Sequence, residues 1–274
     1  MSGRALVVAA HGSAEHDVND SIRRLALRVG ARLRFDEAIA AFHKGDPEFS
    51  RALDGLRSDD VTVVPLLQSE GYYCHRVLPS QLARNRRFAS LRLRQTRAVG
   101  VHPALGGVLA RRVVEIVSVD SLETPAVALV GHGTPRHRGS RQAAETSARD
   151  VERRTGLRSR AFFLDEEPAV ESILAYAPGA DLVVLPLLIG AGRHATRDLA
   201  RRLGIETGGP EPAASGGGPP AELVAANGPR TLVLDRPFGL DPAIEEIVVD
   251  LVRHLRAEDG AASSISVNRP SLER

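Results

Sequence analysis

The chain has 274 residues, 43% of them hydrophobic and 26% charged, with a formal net charge of +2. That is the composition of a globular protein long enough to bury a core in each of two domains. The absence of Trp and an aromatic share of 4% argue against a nucleic-acid surface built on base stacking, and the single cysteine, Cys74, excludes an internal disulfide and any cysteine-built zinc or iron–sulfur centre.

The predicted elements alternate. Ala5–Ala10 is an uninterrupted apolar run ending in His11-Gly12-Ser13, the pattern of a buried parallel strand. Asp17–Leu33 carries Val18, Ile22, Leu25, Leu27 and Val29 at helical spacing. There follow a strand at Glu37–Phe42, a helix at Pro47–Leu56 with proline in its first turn, a strand at Val61–Leu67, a helix at His75–Arg86, a strand at Thr96–Val101 and a helix at Pro103–Val117. The second half repeats the order as Ala126–Val130, Ser140–Thr155, Ser159–Leu164, Pro168–Ala177, Leu182–Leu188, His194–Leu203, Arg230–Leu234 and Pro242–Leu255. Strands alternating with helices imply right-handed crossovers and parallel sheets.

The two halves are copies. His11 and His132, Pro47 and Pro168, Pro65 and Pro186, and Gly71 and Gly192 each stand 121 residues apart. The phase slips once, because Gly100-Val101-His102-Pro103 matches Gly239-Leu240-Asp241-Pro242 across a Gly-, Pro- and Ala-rich stretch. The expected organisation is a first α/β domain over residues 1–122 and a second over 123–257, with a flexible insertion at about 207–228 and a disordered tail at 258–274. Each domain is expected to be a four-stranded parallel sheet flanked by helices, with the active-site cleft between the two. The N-terminal residues lack the long apolar stretch of a signal peptide, and the longest apolar run, Leu182 to Gly192, contains Pro186 and is too short to span a bilayer. A cytoplasmic protein with no membrane partner is the expectation.

Ligands of open parallel sheets bind beyond the carboxyl ends of the strands. Seven of the nine histidines fall at those edges: His11, His43, His75, His102, His132, His137 and His194. Such convergence favours a site that binds a divalent transition metal, moves protons, or does both, since neutral imidazole ligates metals and accepts protons near its ordinary pKa of about 6.5. Comparing copies sharpens the choice. His132 is matched by His11, Asp165 by Lys44, and His194 by Tyr73, with His75 two residues further on. Only the second copy holds imidazole, carboxylate and imidazole together. No Gly-x-x-x-x-Gly-Lys-Ser/Thr loop, no Gly-x-Gly-x-x-Gly after the first strand and no Gly-x-Ser-x-Gly elbow is present, so neither a nucleotide nor a serine hydrolase is indicated.

Three motifs recur in order in both halves: strand-His-Gly-Ser/Thr, Phe163-Leu164-Asp165-Glu166-Glu167-Pro168, and Leu185-Pro186-Leu187-Leu188-Ile189-Gly190-Ala191-Gly192-Arg193-His194. Together they resemble the class II (ATP-independent) chelatases, in particular the long, two-domain sirohydrochlorin cobaltochelatases and ferrochelatases. The resemblance implies insertion of a divalent metal, Co²⁺ first and Fe²⁺ or Ni²⁺ after it, into an anionic cyclic tetrapyrrole of cobalamin or siroheme synthesis. It implies that His132 and His194 bind the metal and take the pyrrole protons, and that Asp165 assists where the family usually has Glu, with Glu166 as an alternative ligand. His11 would face the same cleft, and His43 and His75 are secondary candidates for a centre in the first copy. The substrate's carboxylates would meet Arg136, Arg193 and Arg197, beside Thr134 and Ser13 of the duplicated motif. The alternatives are a metal- or tetrapyrrole-binding protein that keeps the fold without turnover, and a hydrolase using His11 or His132 as nucleophile, which Ala10 and Gly131 disfavour because neither supplies an arginine beside the histidine. The duplication supplies two facing lobes, so an oligomer is not required.

Overall fold

A computed structural model of the protein describes residues 3–13, 16–134, 138–188, 193–205, 221–225, 228–235 and 237–261; the side chains of 16, 17, 193–197, 221–225, 228–230, 240 and 259–261 lie outside that description. The first copy comprises β1 (Arg4–Ala10), α1 (His16–Arg32), β2 (Glu37–Phe42), β3 (Asp60–Leu66), α2 (Leu78–Leu82), β4 (Arg92–Gln95) and α3 (Leu105–Val119). The second comprises β5 (Ala126–Gly131), α4 (Arg138–Thr155), β6 (Ser159–Phe163), α5 (Ile173–Tyr176), β7 (Leu182–Pro186), α6 (Arg193–Arg202), β8 (Ala221–Ala225), β9 (Gly228–Leu234) and α7 (Ala243–Ala261).

The sheets run β2-β1-β3-β4 and β6-β5-β7-β9-β8. Every pairing is parallel except β8 with β9, so each copy has the expected four-stranded parallel sheet. Part of the presumed flexible insertion is therefore structured: Ala221–Ala225 adds an antiparallel edge to the second sheet, while residues 206–220 lie outside the described residues. The presumed tail likewise begins as helix, because α7 runs to Ala261.

Three other expectations need correction. Pro47–Leu56 folds only into a 3₁₀ turn at Phe49–Arg51, and its copy Pro168–Ala177 into a turn plus the single-turn α5. Both segments bend at once into the sheet edge, where Phe42 bridges Glu48 and Phe163 bridges Ala169, so their apolar residues are buried without helical periodicity. The helix expected at His75–Arg86 is a π-turn at Tyr73–Val77 followed by the five-residue α2. The fourth strand lies at Arg92–Gln95, and Val99–Val101 is a 3₁₀ turn. The strand carries alternate charges because it closes the sheet, whereas the apolar run after it packs over the strand ends.

Strand residues alternate between two cores, as period-two side chains must. Leu6, Val8 and Ala10 face inward with Val127, Leu129, Ile22, Val113, Val151 and Val248 in one continuous cluster spanning both copies. Ala5, Val7 and Ala9 join Phe49, Leu53 and Leu78 on the outer face, and Ala128 and Val130 join Phe162, Ile173 and Leu199 on its counterpart. The terminal helices are exchanged. Helix α3, the last of copy one, packs on α4, the first of copy two, so closely that a Cβ at Gly106 would meet Asp150 Cβ at 2.6 Å. Helix α7, the last of copy two, packs on α1, where Arg28 pairs with Glu245 at 2.7 Å and Arg256 lies 4.4 Å over the Phe35 ring. Each copy thus completes the other's core, and the strand ends of both sheets share one edge.

Candidate functional site

The duplicated His-Gly pair is set by the backbone. The His11 carbonyl accepts the Lys44 N–H at 2.8 Å, and the His132 carbonyl accepts the Asp165 N–H at 3.0 Å. Each His is thereby held against the loop after the neighbouring strand. The next residue turns away at positive φ, +75° at Gly12 and +71° at Gly133. A Cβ there would meet Lys44 O at 2.3 Å in one copy and Glu166 Cγ at 2.7 Å in the other, so glycine is required for both conformation and space.

In the second copy His132 and Asp165 lie together and open to solvent, 66% and 61% exposed. The His132 Nδ1 stands 3.3 Å from Asp165 Oδ2. An ionised carboxylate only accepts, so Nδ1–H donates and Nε2 carries the lone pair, which no described residue engages and which can take a metal or a proton. The backbone of His194 lies in the first turn of α6; its side chain and those of Arg193 and Arg197 are outside the described residues, as is Arg136 altogether. Among the described residues no group of three or more His, Cys, Asp or Glu side chains forms a metal cage.

Glu166, expected as an alternative metal ligand, has a carboxylate that is 14% exposed, accepts the Thr134 N–H at 3.2 Å and pairs with Arg141 at 2.9 Å, so each oxygen takes part in locking the His132-Gly133-Thr134 turn. Copy one performs the same task differently. There Asn19 Oδ1 accepts the Ser13 N–H at 3.0 Å, and Gly45, the counterpart of Glu166, leaves room for the Asn19 side chain.

Arg141 was not legible as a site residue. It donates to the Glu167 carbonyl and lies 4.8 Å over the Phe163 ring, as Arg23 donates to the Asp46 carbonyl and lies 5.3 Å over Phe42. The two arginines do equivalent work but are not 121 residues apart, so an ungapped comparison of the copies misses them.

In the first copy His11, His43 and Tyr73 form a ring cluster, with centroids 5.3 Å apart for His11–His43, 5.3 Å for His11–Tyr73 and 5.1 Å for His43–Tyr73. Burial, followed by the nearby charges of His43, Lys44 and His132, holds His11 below the usual imidazole range, so it is neutral at pH 7. With lysine in place of the carboxylate, its Nδ1 lies 3.3 Å from the carbonyl of Gly12, which likewise fixes Nδ1 as donor. His43 Nδ1 lies 3.4 Å from the amide nitrogen of Gln81 and accepts from it. His75 sits exposed on the π-turn, and the ring that meets His11 is that of Tyr73. The copies adjoin here: a Cβ at Gly131 would meet Gln68 Nε2, from the end of β3, at 3.0 Å.

Two edge residues serve the interface between copies rather than the cleft. His102 Nε2 bonds Asp250 of α7 at 2.9 Å, and Asp235, 3% exposed, is bound bidentately by Arg112 of α3. Burial raises the Cys74 thiol to about 12, so it carries no thiolate chemistry. No described helix is long and apolar enough to cross a membrane.

With this geometry in place, comparison with known proteins is informative. The CbiX family model matches residues 5–116 and 126–255, both copies. The chain is 29% identical over 223 residues to the probable sirohydrochlorin cobaltochelatase of Halobacterium salinarum, covering 72% of this chain and 75% of that one. In fold it is similar to DR2241 of Deinococcus radiodurans, a multi-domain protein with structural similarity to chelatases (TM-score 0.65, 22% identity); the match covers 92% of this chain and 54% of that one. It is similar also to SirB of Bacillus subtilis, solved with Fe³⁺ (TM-score 0.70, 14% identity, 97% and 100% covered) and with cobalt (TM-score 0.66, 14% identity, 95% and 98% covered).

Proposed function

The chain belongs to the CbiX family, and from that premise we propose that it inserts a divalent metal, Co²⁺ foremost, into sirohydrochlorin without nucleotide, at a centre in the second copy. The observation that carries the reading is the pair His132–Asp165: a solvent-open imidazole whose Nδ1–H is held by an exposed carboxylate and whose Nε2 has no hydrogen-bond partner among the described residues. In copy one the same positions hold a partly buried imidazole, a lysine and a tyrosine, so the carboxylate that would offset a dication is replaced by an ammonium that opposes it.

The reaction exchanges two pyrrole N–H protons for one M²⁺. His132 Nε2 takes the incoming ion as it sheds water, and the Asp165 charge offsets that of the cation. As the ion passes to the macrocycle nitrogens, two protons leave; His132 and Asp165 would accept them, joined by His194 as its matched sequence position suggests, with imidazole basicity suited to neutral pH. Arg141, by fixing Glu166 and hence the Thr134 backbone, holds His132 in place. Arg136, Arg193 and Arg197 would meet substrate carboxylates. The Halobacterium relative's name supports cobalt and hence cobalamin synthesis; ferrous insertion for siroheme is the second reading, since imidazole with carboxylate accepts either ion. We place the protein in the cytoplasm, acting on a soluble anionic substrate with no nucleic-acid or membrane partner.

The test is the visible-absorbance change of metal-free sirohydrochlorin mixed anaerobically with Co²⁺. Metallation well above the spontaneous rate is expected. A rate equal to the spontaneous one overturns turnover and favours a binding protein of the same fold.

A further inference from the structure

The two copies differ in charge at one matched position beside the duplicated histidine. Lys44 and Asp165 occupy equivalent places: each follows the second strand of its sheet, and each N–H donates to the carbonyl of the duplicated histidine, at 2.8 Å and 3.0 Å. Asp165 is tied to His132. Lys44 is exposed and has no carboxylate within salt-bridge distance among the described residues. Beyond it, through the ring contact of His43 with Tyr73 and of Tyr73 with Tyr72, stand two phenol rings that are 39% and 54% exposed. Tyr73 fills the position that His194 holds in copy two. A metal path needs ligands and negative charge, and this lobe sets an ammonium, not a carboxylate, beside its imidazoles and phenols. A flat macrocycle rimmed with carboxylates needs the reverse: a cation at its edge and rings against its face.

Resting on the function proposed above, we infer that the first copy is the substrate-holding lobe. Lys44 binds a peripheral carboxylate of the tetrapyrrole and the exposed rings of Tyr72 and Tyr73 line its face, while His132 and Asp165 address the metal and the central nitrogens. Duplication then has a purpose. One copy kept the full metal set, and the other, having lost it, adds its own contacts to the recognition supplied by the second-copy arginines.

The experiment is equilibrium binding of metal-free sirohydrochlorin to the full chain, followed by tetrapyrrole fluorescence at low and high salt, with no metal present. Lys44→Ala is expected to weaken binding about three- to fivefold at low salt, the scale of one solvent-open ion pair. Lys44→Glu should weaken it further and Lys44→Arg should restore it. High salt should erase the difference between wild type and Lys44→Ala. Against the methyl-esterified macrocycle, which offers no carboxylate, wild type and Lys44→Ala should bind alike. If wild type binds sirohydrochlorin and Lys44→Ala and Lys44→Glu bind it equally well at low salt, the inference is overturned while the chelatase reading stands. If wild type binds no sirohydrochlorin at all, both fall.

Discussion

The bidentate pair between Arg112 and Asp235 offers a quantitative test of how the copies are joined. Arg112 lies on the exchanged helix α3 and Asp235 at the end of β9, in the other copy; the contacts are 2.8 Å from Nε to Oδ2 and 2.7 Å from Nη2 to Oδ1, with the side chains 14% and 3% exposed. Such geometry drives the guanidinium far above its ordinary range, with the Asp235 hydrogen bonds as the largest cause. Truncating one partner of a buried pair costs about 3–5 kcal/mol, because the other charge is left desolvated. Arg112 keeps a second partner, Glu115 at 2.8 Å, which is itself 61% exposed. Asp235→Ala should therefore fall at the lower end, about 3 kcal/mol. For a chain of this size that corresponds to a fall in Tm of roughly 6–12 °C. Replacing both partners by leucine should cost less than about 1 kcal/mol, since no charge is then stranded. Urea denaturation of the two single variants and the double variant closes the cycle. A loss below about 1 kcal/mol for Asp235→Ala would refute the reasoning, for the pair would then behave as an exposed one.

Three other predictions bear on the cleft. His11 titrates below its ordinary value because burial disfavours its charged form, so on acidification the unfolded chain takes the proton first. Its contribution to stability is complete above about pH 6.5 and is lost as pH falls from there through the lowered folded value. His11→Gln should flatten the dependence of Tm on pH across that window, and an unchanged slope would contradict the assignment. Arg141→Ala should release Glu166 from the Thr134 turn and slow metallation roughly tenfold, as loss of an orienting partner does elsewhere; unaltered kcat/KM would remove Arg141 from the account. Tyr73→His places a third imidazole against His11 and His43, and calorimetry should detect additional Co²⁺ binding relative to wild type.

The architecture was legible where the chain repeats itself. Continuous apolar strands such as Ala5–Ala10, and the matched His-Gly and Pro positions, carry their information locally, and the structure reproduces them as paired sheets of equal order. What could not be read depends on contacts between segments far apart. Pro47–Leu56 looks helical until its proximity to the Phe42 edge is known. His102 looks like a cleft residue because it follows a predicted strand, yet the helix exchange gives it a partner in the opposite copy. Glu166 looks like a ligand beside Asp165, and only the geometry shows that its oxygens also hold Thr134 and Arg141. Lys44 was seen only as a missing carboxylate; its own charge acquires meaning once both lobes share an edge.

The most direct test of a chelatase centred in the second copy is a single-turnover comparison of His132→Ala and His11→Ala with anaerobic sirohydrochlorin and Co²⁺. The account predicts that His132→Ala falls to the spontaneous rate of metallation while His11→Ala retains a rate well above it. The reverse order would place the chemistry in the first copy and contradict the assignment.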